Sequence, residues 1–244
     1  MTMIAPRIAT PADGQDVPDK HAERIVWEMV RFLHAGMEQR WSLARGALNT
    51  SQMGNPVGQM RAVRRFAEMV GDFALRVRLT PAKRGRYQLM VVSWSAFDPT
   101  KKKTIAPGEP LPPNAQLAIL VSHCEGKNHN PSWFVCAPLV ISRHAMVRLA
   151  TRRNVRTTRD LLLAVRELWD AAEKVMTKMM LDGVTAHPDM TPTDAANTYG
   201  DDWFAALPAA GLRLPLRGGG IAVLGAHEIG RTLIIKTILA DDMD

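Results

Sequence analysis

Two cysteines are too few for a disulfide framework. Cys124 and Cys136 flank a segment that reads as a hairpin able to bring them near each other, and a reduced, cytoplasmic protein is the setting that fits. Long apolar runs are missing as well. No stretch approaches the roughly 18 uninterrupted apolar residues of a spanning helix. The opening "MTMIAPRIATPADGQDVPDK" lacks the positive start and apolar run of an export signal, so neither export nor membrane insertion is expected. The chain carries no internal repeat, no G-K-S/T phosphate loop and no paired C-x-x-C or H-x-x-x-H spacing. His123, Cys124, His129, Cys136 and His144 lie close enough in sequence to be weighed as a zinc set. Their spacing fits no known pattern, and Cys136 sits in an apolar run where a buried thiol is ordinary. No metal or other cofactor is expected.

Acidic residues are the minority charge. Against 31 Lys and Arg stand 24 Asp and Glu, a net of +7, which favours an anionic partner: RNA, DNA, another polyanion, or an acidic protein partner or inhibitor. With 46% of 244 residues hydrophobic, the chain has material for one substantial core or two small ones.

The pattern along the chain divides it into a leader (1–20), an N-terminal helical region (21–80) and an α+β domain (81–244). The leader holds three prolines and no periodicity. Ile25, Val26, Met29, Val30, Leu33, Met37 and Trp41 recur at threes and fours, predicting a helix over 21–48. A second helix is expected over 57–77, with Arg61, Arg64, Arg65 and Glu68 on its wet side. "YQLMVVSWSAF", "AQLAILVSH" and "SWFVCAPLVIS" read as strands, the last two joined by the turn "CEGKNHNP", with Pro138 at an edge or a bulge. "DPTKKKTIAPGEPLPPN" reads as a long exposed connection whose lysines can touch a polyanion. Helices follow over 143–153 and from Thr157 or Thr158 to about Leu181, then a proline-marked loop with a short "DDWFAAL" turn. "GLRLPLR", "GGIAVLG" and "RTLIIKTIL" close the chain as antiparallel strands, with "RGGG" as a hairpin turn. The expected fold is α+β: an N-terminal helical pair with an antiparallel sheet into which two helices are inserted.

The stretch "SRHAMVRLATRRNVRTTRDLL" carries the candidate chemistry. On a helix with His144 at zero, Arg148 falls near ~40° and Arg152 near ~80°, while Ala145, Met146, Leu149 and Ala150 take the opposite side. From Arg143 to Arg159 there are six arginines and no acid, so pairing within the helix does not account for them. Guanidinium groups grip phosphate through two parallel hydrogen bonds and keep their charge. A solvated helix face is the plain alternative to a ligand-binding ridge. The two helices around "NVRT" also allow a helix-turn-helix reading, although Arg159, Arg166 and Glu167 are a thin set for reading bases.

"SRHAMVRLATRR", a capped second helix and terminal strands ending in "LIIKTIL" together resemble the metal-independent RNase toxin superfamily of barnase, EndoU, colicin and RelE-like proteins. The likeness is to a branch with an S-x-H-A-x-x-R-x-x-x-R helix, and it spans roughly residues 116–240. It implies a sheet that cradles RNA, with His144, Arg148, Arg152, Lys236 and Thr237 as catalytic residues. Ser142 belongs to the same motif, and with Arg143, Arg153 and Arg156 it is expected to hold the nucleic acid. Departures are the long N-terminal helical portion, the loop at 183–203 and the lack of a glutamate beside the histidine. The function expected is an RNA-directed, metal-independent nuclease or a nuclease-derived RNA-binding protein. The alternative is a DNA-binding or assembly protein without catalysis, of phage or mobile-element kind.

Overall fold

The computed structural model describes residues 19–50, 56–71, 74–81, 87–106, 109–110, 112–127, 130–186, 207, 211–227 and 232–240. Nearly all of the leader, the turn at 128–129 and nearly all of the 183–203 loop and "DDWFAAL" lie outside the described residues.

Helix α1 runs over Asp19–Thr50 and α2 over Pro56–Gly71. Proline suits the first position of α2, where its missing N–H has no intrahelical partner to lose. The strands are β1 (Arg76–Pro81), β2 (Tyr87–Asp98), β3 (Lys103–Thr104), β4 (Gln116–Lys127) and β5 (Asn130–Ile141). Helices α3 (Arg143–Arg152) and α4 (Thr158–Ala186) precede β6 (Leu212–Pro215), β7 (Ile221–Ala226) and β8 (Leu233–Leu239). The α+β class is as expected. No helix among the described residues is long and apolar enough to cross a membrane.

Three expectations are corrected. The helix predicted to reach 77 stops at Gly71, and Arg76–Pro81 is instead an edge strand of the sheet. Glycine costs a helix about 1 kcal/mol relative to alanine, and Val77 and Leu79 alternate with Arg76, Arg78 and Thr80 at the period of a strand. The sheet, ordered β1-β2-β4-β5-β8-β7-β6 with β3 beside β2, is mixed rather than antiparallel, because β8 runs parallel to β5. The segment from α3 to β7 returns the chain to β5 in the same direction, a relation that local patterns do not encode. Cys124 pairs with Trp133 and Cys136 with Val121, so the cysteines are not cross-strand neighbours. Pro138 lies where the β4–β5 register slips, the bulge its missing donor requires.

The main core joins the sheet to α1, α3 and α4 through Ile25, Met29, Trp94, Leu117, Ile119, Ile141, Met146, Leu149, Val165 and Ile235. A smaller cluster packs Val63, Phe66 and Val70 of α2 on Leu89 and Val91. Since Leu89 and Val91 alternate with Val92 and Trp94, β2 is buried on both faces. At the far end, α4 is opened by a reciprocal cap: Asp160 N–H donates to Thr157 Oγ1 (3.1 Å), and Thr157 N–H donates to the Asp160 carboxylate (2.9 Å). Arg76 in β1 is ion-paired to Asp170 and Glu173 of α4, and Arg166 donates to the Ala74 carbonyl (2.7 Å).

The sheet divides into β1-β2-β4-β5 and β8-β7-β6, welded along only three residue pairs, Leu139–Leu233, Val140–Ile234 and Ile141–Ile235. The Ser142 N–H to Ile235 carbonyl bond (3.0 Å) and the Thr232 Oγ1 to Ala137 carbonyl bond (3.1 Å) extend this seam at either end.

Candidate nucleic-acid site

Strand β8 carries a bulge at Lys236. Leu224 pairs with Ile235 and Val223 with Thr237, which leaves Lys236 as the extra residue. Strict alternation puts Lys236 on the face of Ile238. The bulge breaks that alternation, so Ile235 and Ile238 are both buried while Lys236 is exposed. Thr237 is half-buried and takes its place in the ladder opposite Val223. The Lys236 stem runs across Gly225: a methyl group built there would lie 2.6 Å from Cε and 2.9 Å from Nζ.

Ser142 fastens this bulge to α3. Its Oγ–H donates to the Lys236 carbonyl (2.8 Å), and the same oxygen accepts from the Ala145 N–H (3.1 Å) as the helix N-cap. One side chain therefore satisfies both a helix end and a bulged strand.

Along α3 the apolar face is as expected, with Ala145, Met146, Leu149 and Ala150 buried. His144 is exposed and Arg148 half-buried, and neither has a hydrogen-bond or salt-bridge partner among the described residues. Arg152 is half-buried, with Nη1 buried and without a partner among the described residues. The flanking arginines serve the chain's own contacts. Arg143 Nε is 2.5 Å from Glu23, its Nη1 donates to the Pro112 and Pro113 carbonyls (3.0 and 2.8 Å), and its guanidinium lies 5.6 Å from the Trp27 ring. Arg153 pairs with Glu167 (2.7 Å), whose other oxygen accepts from the Gly218 N–H (2.8 Å), so this guanidinium lies beneath the β6–β7 turn. Arg156 Nε donates to Asn154 Oδ1 (3.3 Å).

An open cleft of about 790 Å³ lies beside the bulge. One wall comes from the first half of the sheet and its connection: Pro99, Thr100, Lys102, Asn114 and Gln116. The other comes from the second half: Ala226, His227, Ile234 and Lys236. Among the described residues, no lining residue is acidic and neither lysine has an ion-pair partner. The lysine wall is built locally. The buried Asp98 carboxylate accepts from the Thr100 and Lys101 N–H groups (3.0 and 3.2 Å), and Lys102 takes a left-handed φ of 51°. Asn114 Nδ2 donates to Thr100 Oγ1 (2.6 Å), and the His227 Nε2 lies 3.1 Å from Gln116 Oε1, linking the two walls.

Of the expected site residues, the structure joins Ser142 directly to Lys236, and His144 follows Ser142 by two residues in the first turn of α3. His144 does not line the cleft, but its helical turn spans the rim. Ser142 holds the peptide of Lys236, and Arg143 holds the carbonyl of Pro113, next to the lining residue Asn114. Arg148 and Arg152 project one and two turns further along, roughly 6 and 12 Å away by helical rise. Asn114, Gln116 and His227 are not singled out by the sequence, and Lys102 only as part of a lysine run. Of the histidines and cysteines weighed for zinc, His123 is exposed, and Cys136 donates its S–H to the Val121 carbonyl (3.8 Å) with its pKa raised by burial. His129 and the Cys124 side chain lie outside the described residues. Comparison with known proteins finds no matching family model, curated protein or solved structure.

Proposed function

We propose that this protein is RNA-directed, binding a strand across the lysine cleft and the adjoining α3 ridge and cleaving it without a metal. The observation that carries this reading is the cleft itself: two lysines, an imidazole and side-chain amides, with no carboxylate among the described lining residues, beside the bulge that Ser142 ties to the N-terminus of α3. Phosphodiester binding requires fixed positive charge in a concavity, and Lys102 and Lys236 supply it from opposite walls. Arg148, one turn along, extends the track toward a neighbouring phosphate.

Cleavage of RNA without a metal takes a base for the 2′-hydroxyl proton, an acid for the departing 5′-oxygen and cations for the phosphoryl oxygens. His144 is the group for proton transfer, and Lys236, whose carbonyl is held by Ser142 two residues before His144, is a cation for the phosphoryl oxygens. The helix-turn-helix alternative is weakened: Arg166 is bonded to the Ala74 carbonyl and Glu167 to Arg153, which takes two of its three base-reading candidates. A binder without catalysis remains the second reading, favoured by the position of His144 outside the lining.

The deciding experiment incubates the purified protein with end-labelled single-stranded RNA in excess chelator. The expected result is cleavage to 2′,3′-cyclic phosphate ends, lost in His144→Ala with the fold retained, and salt-dependent affinity that falls in Lys236→Ala. Affinity without cleavage selects the second reading. No affinity at low salt, for RNA or DNA, overturns both.

A further inference from the structure

We infer that the cleft is a single-nucleotide subsite, holding one phosphate between Lys102 and Lys236 and reading the attached base with the Asn114 and Gln116 side chains. This rests on the RNA reading and narrows its substrate to an unpaired strand.

Size, composition and construction support it. At about 790 Å³ the cleft falls within the roughly 300–1,000 Å³ of small-molecule sites, well beyond what a bare phosphate fills. Its lining is of two kinds. Pro99, Ala226 and Ile234 give apolar walls, and Asn114, Gln116 and His227 give donors and acceptors between them. Amides match the mixed donor and acceptor edge of a base, whereas lysine suits phosphate as a point charge. A phosphate alone has no use for the amides, and an apolar ligand has no use for the lysines. Bases in a duplex keep their Watson–Crick edges paired, so only an unstacked base can enter a walled cleft. The amides are also pre-set. Asn114 is tied to Thr100 and Gln116 to His227, which lowers the entropy lost on binding.

Both lysines sit at irregular backbone positions. Lys102 holds a left-handed backbone that glycine would adopt without strain. Lys236 is the extra residue of a bulge, and Gly225 leaves the space its stem crosses. Adding a methyl group at Gly225 therefore displaces the ammonium while the charge itself is kept.

The test is calorimetric titration of the full chain with each of the four nucleoside 5′-monophosphates, with inorganic phosphate and the nucleosides as controls. Competition against a labelled single-stranded RNA follows. At least one monophosphate is expected to bind tenfold or more tightly than phosphate or nucleoside and to displace the RNA. Gly225→Ala should weaken it about tenfold, the loss of one charge-assisted contact. Asn114→Ala should change the ranking of the four bases. If Gly225→Ala does not fold, Lys236→Met replaces it. Should RNA bind while no monophosphate exceeds inorganic phosphate, the subsite is refuted and the RNA reading stands. Monophosphate binding without RNA binding refutes the RNA reading and leaves a nucleotide site. Absence of both refutes both.

Discussion

Replacing Ser142 with alanine tests the junction on which the site depends. The hydroxyl does two jobs, accepting from the Ala145 N–H at 3.1 Å and donating to the Lys236 carbonyl at 2.8 Å. Loss of an N-cap costs about 1 kcal/mol. Loss of the second bond costs about 1 kcal/mol more, toward the low end here because Ser142 is only half-buried and water can take its place. The sum is about 2 kcal/mol. With a urea m value on the order of 3 kcal/mol/M for a chain of this size, the unfolding midpoint should drop by roughly 0.7 M. Ser142→Thr keeps both bonds and should stay within about 0.5 kcal/mol of the parent. Ser142→Asp keeps the acceptor but has no hydrogen to give Lys236, and should fall between. A midpoint shift under about 0.2 M in the alanine variant, or a threonine variant as weak as the alanine one, would show that Ser142 does not brace the bulge.

Gly218→Ala should cost about 2 kcal/mol in thermal or urea unfolding, because its methyl would lie 1.4 Å from Arg153 Nη1 and drive that guanidinium off Glu167. The same change in an Arg153→Met background should cost under about 0.5 kcal/mol, and equal costs in the two backgrounds would refute the coupling. Lys102→Gly should leave stability unchanged or raise it by up to about 1 kcal/mol while lowering the salt slope of RNA binding by about one, and a large loss of stability would contradict the turn geometry. His34 is buried beside Ser95 Oγ (3.2 Å); burial lowers its pKa below 6.5, with Glu38 partly opposing. Above 6.5 the imidazole is neutral both folded and unfolded, so its contribution is complete there; as pH falls from 6.5 through the folded value only the unfolded chain gains the proton at first, and stability is lost. One such group can contribute a slope of at most about 1.4 kcal/mol per pH unit. His34→Gln should flatten it in unfolding measured from pH 7.5 to 5, and parallel losses in the two proteins would exclude His34 as the source.

What the sequence made legible depends on how local the cause is. The buried stripe of α1 and the apolar face of α3 follow from residues three and four apart, and both are found. The wet side of α3 was legible as a side, but the fates of its arginines were not. Nothing near Arg143 in the chain announces Glu23, and nothing near Arg153 announces Gly218. The bulge at Lys236 has no local marker, since "LIIKTIL" alternates acceptably as a plain strand. His227 and Gln116 meet although β5 and β8 lie between β4 and β7 in the sheet, a relation that belongs to the whole sheet rather than to either segment.

The narrow seam between β5 and β8 has a consequence for how the molecule comes into being. Ser142 and Lys236 stand 94 positions apart, so the seam closes a long excursion of chain for the return of a three-rung ladder and a few side-chain ties. Each wall of the cleft belongs to a different flank of that closure. Occupancy of the cleft therefore reports completed assembly, and a ligand touching both walls stabilises the joined state over the parted one by mass action.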